Sequence, residues 1–358
     1  MRNMNGASSI VLTPCKLRGR VTAPASKSDV HRLLIAAALA DGPCEIAAST
    51  TNEDIDATAA CLRALGARIE RTDGAFRVEP PARPAPSPLL DCRESGSTLR
   101  FLLPVAAALG SNARFTGCGR LPDRPLSDLL DALSRHGVSF SSDRLPFALA
   151  GRLSAGEFRL PGNVSSQYVT GLLFAMPLLA EGGTIRLTSP LESAGYVEMT
   201  LRTLRTFGVG VLRGENAFSL AAGSRFHSPG HAAAEGDWSA AANWFAANRL
   251  GSAVEVAGLA RDSAQGDRAA EAVLRGLRAG SSIDARDIPD TVPALAVAAA
   301  GVEGTVEIRG IARLRLKESD RIATTAALLR ALGGEAEEHP DCSSKCWFSG
   351  WTVWFASS

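Results

Sequence analysis

The chain has almost no excess charge: 38 Lys and Arg stand against 37 Asp and Glu over 358 residues, a net of +1. That balance gives no general attraction to nucleic acid or to an acidic membrane surface, so positive charge must act locally, in a cleft. Long apolar runs are lacking as well. The longest, such as 101–109 and 294–300, fall short of a membrane span, and 1–6 has no apolar signal core. We therefore expect a soluble, cytoplasmic protein with neither membrane nor nucleic acid among its partners. The cysteines, at 15, 44, 61, 92, 118, 342 and 346, are odd in number and scattered, as reduced thiols would be and a disulfide framework would not. His339, Cys342 and Cys346 come nearest to a zinc cluster, but they lack a fourth ligand and a second cysteine pair, so no metal is expected.

What the chain does have is a repeat. Ser26-Lys27-Ser28-Asp29, Glu94-Ser95-Gly96-Ser97-Thr98 and Asn163-Val164-Ser165-Ser166-Gln167 each precede an apolar run, and Ser28, Ser97 and Ser166 lie 69 residues apart. A second marker keeps a similar beat: Gly66, Gly137 and Gly208, 71 residues apart, each follow a helix-like stretch, where glycine relieves left-handed strain. Gly280 and Gly333 continue the series, preceded by cap-like Gly236-Asp237-Trp238-Ser239 and Pro289-Asp290-Thr291. Five units result.

Within the first unit the pattern predicts a helix over 30–39, a strand over 44–48, a helix over 52–65 and a hairpin of 67–71 with 76–78 around Thr72-Asp73-Gly74. The order is strand, helix, strand, helix, strand, strand. The helices after the serine caps are apolar nearly all round, which puts helices inside and sheets outside. Three units fill about 21–226, and the rest carries two, with a strand near 10–12 available to join them. A domain boundary is expected near 225–234.

The caps matter electrostatically, because the first N–H groups of a helix point outward with partial positive charge behind them. Several such ends converging make an anion site. Lys27 and Arg32 flank the first helix start, and Arg120-Leu121-Pro122-Asp123-Arg124-Pro125 is a proline-stiffened arginine loop. Asp290 reads as either an N-cap or a general base beside bound cations. In 314–321, Lys317 and Arg321 would repel as an (i, i+4) helical pair, so cations crowded around Glu318 suit a polyanionic ligand.

These segments together resemble the family of 3-phosphoshikimate 1-carboxyvinyltransferase, also called EPSP synthase. The match rests on Pro24-Ala25-Ser26-Lys27-Ser28 with Arg32, on 95–100, on 121–126, on Ser165-Ser166-Gln167, on Ile288-Pro289-Asp290 and on 316–321, jointly and in order over about 10–340. The resemblance implies transfer of the enolpyruvyl group of phosphoenolpyruvate to the 5-hydroxyl of shikimate 3-phosphate, with release of phosphate and no metal or organic cofactor. It implies a monomer with a two-domain inside-out α/β barrel fold of βαβαββ units, five of six present here. The expected parts are a strand within 1–20 joining the second domain, a three-unit domain at 21–226, an incomplete two-unit domain at 227–340, and a tail at 341–358.

Carried over by position, Lys27, Ser28, Arg32, Ser165, Ser166, Gln167, Ser193, Asp290 and Lys317 would hold shikimate 3-phosphate, with Tyr196 lining the same pocket. Lys27, Gly96, Arg124, Gln167 and Arg321 would hold phosphoenolpyruvate, Gly96 allowing close backbone approach. Asp290 would take the proton of the attacking hydroxyl, and Glu318 or Lys27 would manage protonation of the methylene carbon, through a tetrahedral adduct.

After 340 these motifs stop. The family's further unit, with an Asp-His-Arg-x-Ala-Met segment and a late lysine, is missing, and three of the five tryptophans fall in the tail; a frameshift or a sequencing error in the gene there is the expectation. Two rival readings follow: a non-catalytic remnant that binds shikimate 3-phosphate, and the sister reaction on UDP-N-acetylglucosamine, which uses a loop cysteine. Cys118 lies in the right neighbourhood for the latter, but Ser28, Ser165-Ser166-Gln167 and Leu316-Lys317-Glu318 favour the shikimate enzyme.

Overall fold

Gly66, Gly137, Gly208 and Gly333 stand just past helix ends with φ of 110°, 89°, 77° and 90°, a backbone region that L side chains rarely occupy. Gly280 departs from the series. The helix before it ends at Arg275 with Gly276 as its cap, and Gly280 instead turns the chain with φ 75°.

In the computed structural model, residues 13–338 are described, together with the backbone of the strand Lys345–Ser349. The chain opens with β1 (Arg18–Thr22), α1 (Lys27–Leu39), β2 (Cys44–Ala47), α2 (Glu53–Ala64), β3 (Arg68–Thr72) and β4 (Ala75–Glu79). The second unit is β5 (Leu89–Asp91), α3 (Gly96–Leu109), β6 (Arg114–Thr116), α4 (Ser127–Ser134), β7 (Val138–Phe140) and β8 (Phe147–Gly151). The third is β9 (Glu157–Leu160), α5 (Ser166–Ala175), β10 (Gly183–Leu187), α6 (Ala194–Thr206), β11 (Leu212–Gly214) and β12 (Ala217–Leu220). Then come β13 (His231–Ala233), α7 (Trp238–Arg249), β14 (Ala253–Ala257) and α8 (Ala269–Arg275), and finally β15 (Ser282–Asp284), α9 (Val292–Ala300), β16 (Thr305–Arg309), α10 (Arg321–Ala331), β17 (Glu335–Glu338) and β18 (Lys345–Ser349).

The expected order of elements therefore holds in the first, second, third and fifth units, and the sheets of the last three share one topology. In each, the first two strands are parallel, and the fourth strand lies between the second and the third, antiparallel to both. The first and fourth units differ, because they exchange their first strands. β1, which leads into α1, pairs in parallel with β14, while β13, which leads into α7, pairs in parallel with β2. Each crossing strand is anchored in the other half of the molecule. The expected joining strand near 10–12 lies outside the described residues, and β1 makes the join. Among the described residues the fourth unit has no closing strand pair, so β1 and β14 form a two-stranded sheet.

The serine-capped helices α1, α3 and α5 are buried on nearly every face. α1 packs on α2 and α6, α3 on α2 and α5, and α5 on α6, so helices fill the interior and sheets lie around them. One hydrophobic cluster runs from Ala25 to Ala232 and a second from Ala242 to Ala336. The two crossing segments run side by side between them, with Ser26 N–H donating to the Glu235 carbonyl at 2.8 Å and Asp237 N–H to the Pro24 carbonyl at 2.9 Å. This crossing sets Lys27, the first residue of α1, between the halves.

Candidate active site

Three helix starts face one cavity. α1, α3 and α5 begin at Lys27, Gly96 and Ser166, capped by Ser26, Ser95 and Ser165, and residues of all three first turns line the cavity. The Ser95 hydroxyl accepts from Thr98 N–H at 3.2 Å and that of Ser165 from Gln167 N–H at 3.3 Å; Ser26 makes no side-chain cap bond. The opposite wall comes from the turn before α9 and from the segment leading into α10. Every residue singled out above as a site residue lines this cavity.

Seven cations line it, Lys27, Arg32, Arg100, Arg124, Arg313, Lys317 and Arg321, against three carboxylates, Asp54, Asp290 and Glu318. Seven less three leaves a lining charge of +4, in a chain whose net charge is +1. Arg321 donates to Asp290 Oδ1 at 2.6 Å and to Glu318 Oε2 at 3.0 Å, and Lys317 Nζ lies 3.7 Å from Asp290 Oδ1. Lys317 precedes α10 and Arg321 begins it. They are therefore not a helical (i, i+4) pair, and they converge on a shared carboxylate instead of only repelling.

Asp290 is not a helix cap. It sits in the turn Pro289–Thr291, Thr291 precedes α9 with no side-chain cap bond, and Asp290 Oδ2 accepts from the Tyr196 hydroxyl at 2.5 Å. Burial works against its charge, but Lys317, Arg321, the Tyr196 hydroxyl and Lys27 outweigh burial and hold it well below the ordinary carboxylate range. Glu318 follows the same logic: burial opposes its charge, yet Arg124 and Arg321 bring it down to about 2. For Lys27, burial favours the neutral amine, but the ion pair with Asp54 at 3.0 Å, helped by Asp290 and Glu318, lifts its pKa above the ordinary value.

Arg32 is 2% exposed and spends donors on its own surroundings: Thr200 Oγ1 at 2.9 Å, the Ser28 carbonyl at 2.5 Å and the Tyr196 carbonyl at 2.8 Å. It ties α1 to α6 while forming part of the wall. Ser193 holds a left-handed conformation, φ 56°, a strained state for a residue with a side chain. Its hydroxyl donates to the Arg286 carbonyl at 3.1 Å and accepts from Arg313 at 3.0 Å, a link across the cleft. Of the arginine loop, Arg124 reaches the cavity, whereas Arg120 is exposed and does not line it. Cys118 is exposed and contributes nothing to the lining. His339 and Cys342 lie outside the described residues, as does the side chain of Cys346.

Sequence reasoning missed Asp54, Tyr168 and Arg313 as cavity residues and gave Arg100 no role. Asp54 reads as one of three acids in the first turn of α2, an ordinary place for a carboxylate. Arg100 did leave a signal, as the one charged residue in the apolar helix α3. It is 4% exposed and donates to Gln167 Oε1 at 3.1 Å and to the Pro125 carbonyl at 2.8 Å. Burial and the neighbouring Arg124 lower its pKa to about 10. The Nε groups of Arg100 and Arg124 are buried with no hydrogen-bond partner among the described residues, two donors left for a ligand to satisfy.

The fold is thus a two-domain, inside-out α/β arrangement whose cleft holds a cationic cavity, of a charge that suits anionic small molecules. A model of the EPSP synthase (3-phosphoshikimate 1-carboxyvinyltransferase) family matches residues 11–354, past residue 340 where the quoted motifs end. The 3-phosphoshikimate 1-carboxyvinyltransferase of Clostridium kluyveri is 37% identical over 352 residues, covering 93% of this chain and 83% of that protein. The one from Methanocorpusculum labreanum is 34% identical over 354 residues, covering 93% and 84%. Among solved structures, EPSP synthase from Acinetobacter baumannii superposes with a TM-score of 0.73 at 23% identity, covering 94% of this chain and 82% of that one. The enolpyruvyl transferase NikO from Streptomyces tendae gives 0.72 at 19% over the same shares. The chain belongs to the EPSP synthase family, the 3-phosphoshikimate 1-carboxyvinyltransferases, transferases of the shikimate pathway and aromatic amino acid biosynthesis.

Proposed function

We propose that the cationic cavity is where this chain transfers the enolpyruvyl group of phosphoenolpyruvate to the 5-hydroxyl of shikimate 3-phosphate. The observation that carries this reading is the lining of seven cations against three carboxylates beneath three helix starts. Both substrates are polyanions, and helix N-termini with buried arginines are suited to phosphate and carboxylate. Lys27, Ser28, Arg32, Ser165, Ser166, Gln167, Ser193, Tyr196, Asp290 and Lys317 form the shikimate 3-phosphate side. Lys27, Gly96, Arg124, Gln167 and Arg321 form the phosphoenolpyruvate side.

The ion pairs suggest how the site is switched on. Arg321 neutralises Asp290 and Glu318, and Arg124 neutralises Glu318, so both carboxylates are weak bases. A phosphoenolpyruvate anion that engages Arg124 and Arg321 withdraws those partners, and each carboxylate becomes more basic. Asp290 then takes the proton of the attacking hydroxyl, while a proton passes to the methylene carbon and a tetrahedral adduct forms amid the remaining cations. Of the two groups considered for that second proton, Lys27 is the one that carries it, since its pKa is raised while that of Glu318 is lowered. The adduct collapses when the methyl group loses a proton and phosphate leaves.

Our reading extends to a monomer, working in the cytoplasm on charged metabolites that do not cross membranes unaided. It also divides the chain into a domain at 21–226, which carries the serine-capped helices, and a second at 227–340, each with its own hydrophobic cluster. Titration calorimetry tests the assignment of sides. Shikimate 3-phosphate should bind alone, and an Arg124→Ala variant should keep that binding while losing the phosphoenolpyruvate step. Loss of both ligands together in that variant would contradict the assignment.

A further inference from the structure

Behind the cavity wall, and not part of its lining, lies Asp267, 3% exposed and followed by α8. The Tyr196 hydroxyl bridges it to the cavity, 3.2 Å from Asp267 Oδ2 and 2.5 Å from Asp290 Oδ2. A phenol has one hydrogen to give, and the shorter contact assigns it to Asp290. On the other side two oxygens face each other with no hydrogen between them, unless Asp267 supplies one. Ser239 donates to the same Oδ2 at 2.5 Å, while Oδ1 is buried with no hydrogen-bond partner, and no cation among the described residues pairs with this carboxyl. A bare buried carboxylate oxygen is costly, and the carbonyl oxygen of a neutral acid much less so.

We propose that Asp267 is a positioning residue for the transfer reaction: in its protonated form it donates its proton to the Tyr196 oxygen and so fixes the phenol hydrogen on Asp290. The chain of donors then runs in one direction, from Asp267 to Tyr196 to Asp290, and it keeps the reactive carboxylate ionised and oriented toward the cavity. The surroundings support neutrality from every packed element. α6 contributes Tyr196, α7 contributes Ser239 and the capping Asp237, and the turn before α9 contributes Asp290; the cations Lys317 and Arg321 pair with Asp290 itself. Burial first, then the charge of Asp290, raises the Asp267 pKa to about 7. This inference rests on Asp290 acting as the base and adds the group that orients it.

The test uses the full chain carrying carboxyl-13C aspartate, with Asp267→Asn to assign the resonance and Asp267→Ala as the disruptive variant. The resonance missing from Asp267→Asn should keep the protonated position well above the ordinary aspartate pKa of about 3.9, moving only as pH approaches about 7. Titration at the ordinary value would overturn the proposal, and this readout needs no turnover. In turnover assays Asp267→Asn, whose amide can donate to the phenol as the neutral acid does, should retain kcat within about threefold. Asp267→Ala should lose about 10- to 100-fold in kcat with KM little changed. Equal losses in the two folded variants would overturn the proposal. Asp290→Asn, run alongside, tests the base assignment separately, because it removes turnover without moving the Asp267 resonance back to the ordinary range.

Discussion

Arg124 Nη1 lies 3.0 Å from Glu318 Oε1, an ion pair spanning 194 positions of sequence that joins the two halves across the cleft. The Arg124 side chain is 7% exposed, its Nε has no partner among the described residues, and Arg100 stands beside it. A contact so placed spans the cleft and competes directly with an incoming anion. The predictions below follow from that competition.

Arg124→Lys keeps a positive charge but gives up the planar fork that meets a carboxylate or phosphate at two points. The KM for phosphoenolpyruvate should rise about 10- to 100-fold, in keeping with about 1.5–3 kcal/mol for a hydrogen bond to a charged group. Affinity for shikimate 3-phosphate should hardly move. Steady-state kinetics with each substrate varied in turn would detect a parallel rise in both KM values, which the account does not allow.

A Cβ placed on Gly96 would lie 2.5 Å from Arg100 Nη1 and 2.6 Å from Arg124 Nη1. Gly96→Ala should therefore push both guanidinium groups away from the helix start and weaken phosphoenolpyruvate binding by about 10-fold or more, with the melting temperature nearly unchanged. Wild-type affinity in the alanine variant would mean that these arginines do not define the phosphoenolpyruvate side.

The pH dependence of stability has a sign. Glu318 and Asp290 have pKa values below their unfolded ones, so the folded state binds fewer protons than the unfolded state. The stability they contribute is complete above the ordinary carboxylate range of about 4 and is lost as pH falls toward about 2. Thermal melts of Glu318→Gln should fall less steeply with acid than those of the wild type. Parallel curves would show that the pairs formed by Glu318 are not coupled to folding.

Cys118→Ser should leave turnover unaltered, because the thiol is exposed and lines no part of the cavity. A loss of about 10-fold or more in kcat would revive the reading in which a loop cysteine takes part in enolpyruvyl transfer.

The periodic parts of this architecture were legible in the sequence. Ser95 and Ser165 cap their helices as the spacing implied, and Gly66, Gly137 and Gly208 stop theirs, because caps and left-handed glycines are decided by a few adjacent residues. The exchange of β1 and β13 left no local trace, since it depends on which distant strand each one meets. Asp290 shows the same limit. Its neighbours read as a cap, yet its partners Tyr196, Lys317 and Arg321 come from elsewhere in the chain and give the carboxylate another task. Asp267 was invisible for the same reason, as an acid in an unremarkable turn until α6 brings Tyr196 against it.

The most direct test of the central claim is phosphate release by the purified 358-residue chain given shikimate 3-phosphate and phosphoenolpyruvate, beside Asp290→Asn. The account predicts release that needs both substrates and falls by about 100-fold or more in the variant. A folded chain that releases no phosphate, or a variant that releases it as fast as the wild type, would contradict the assignment of transfer to this cavity.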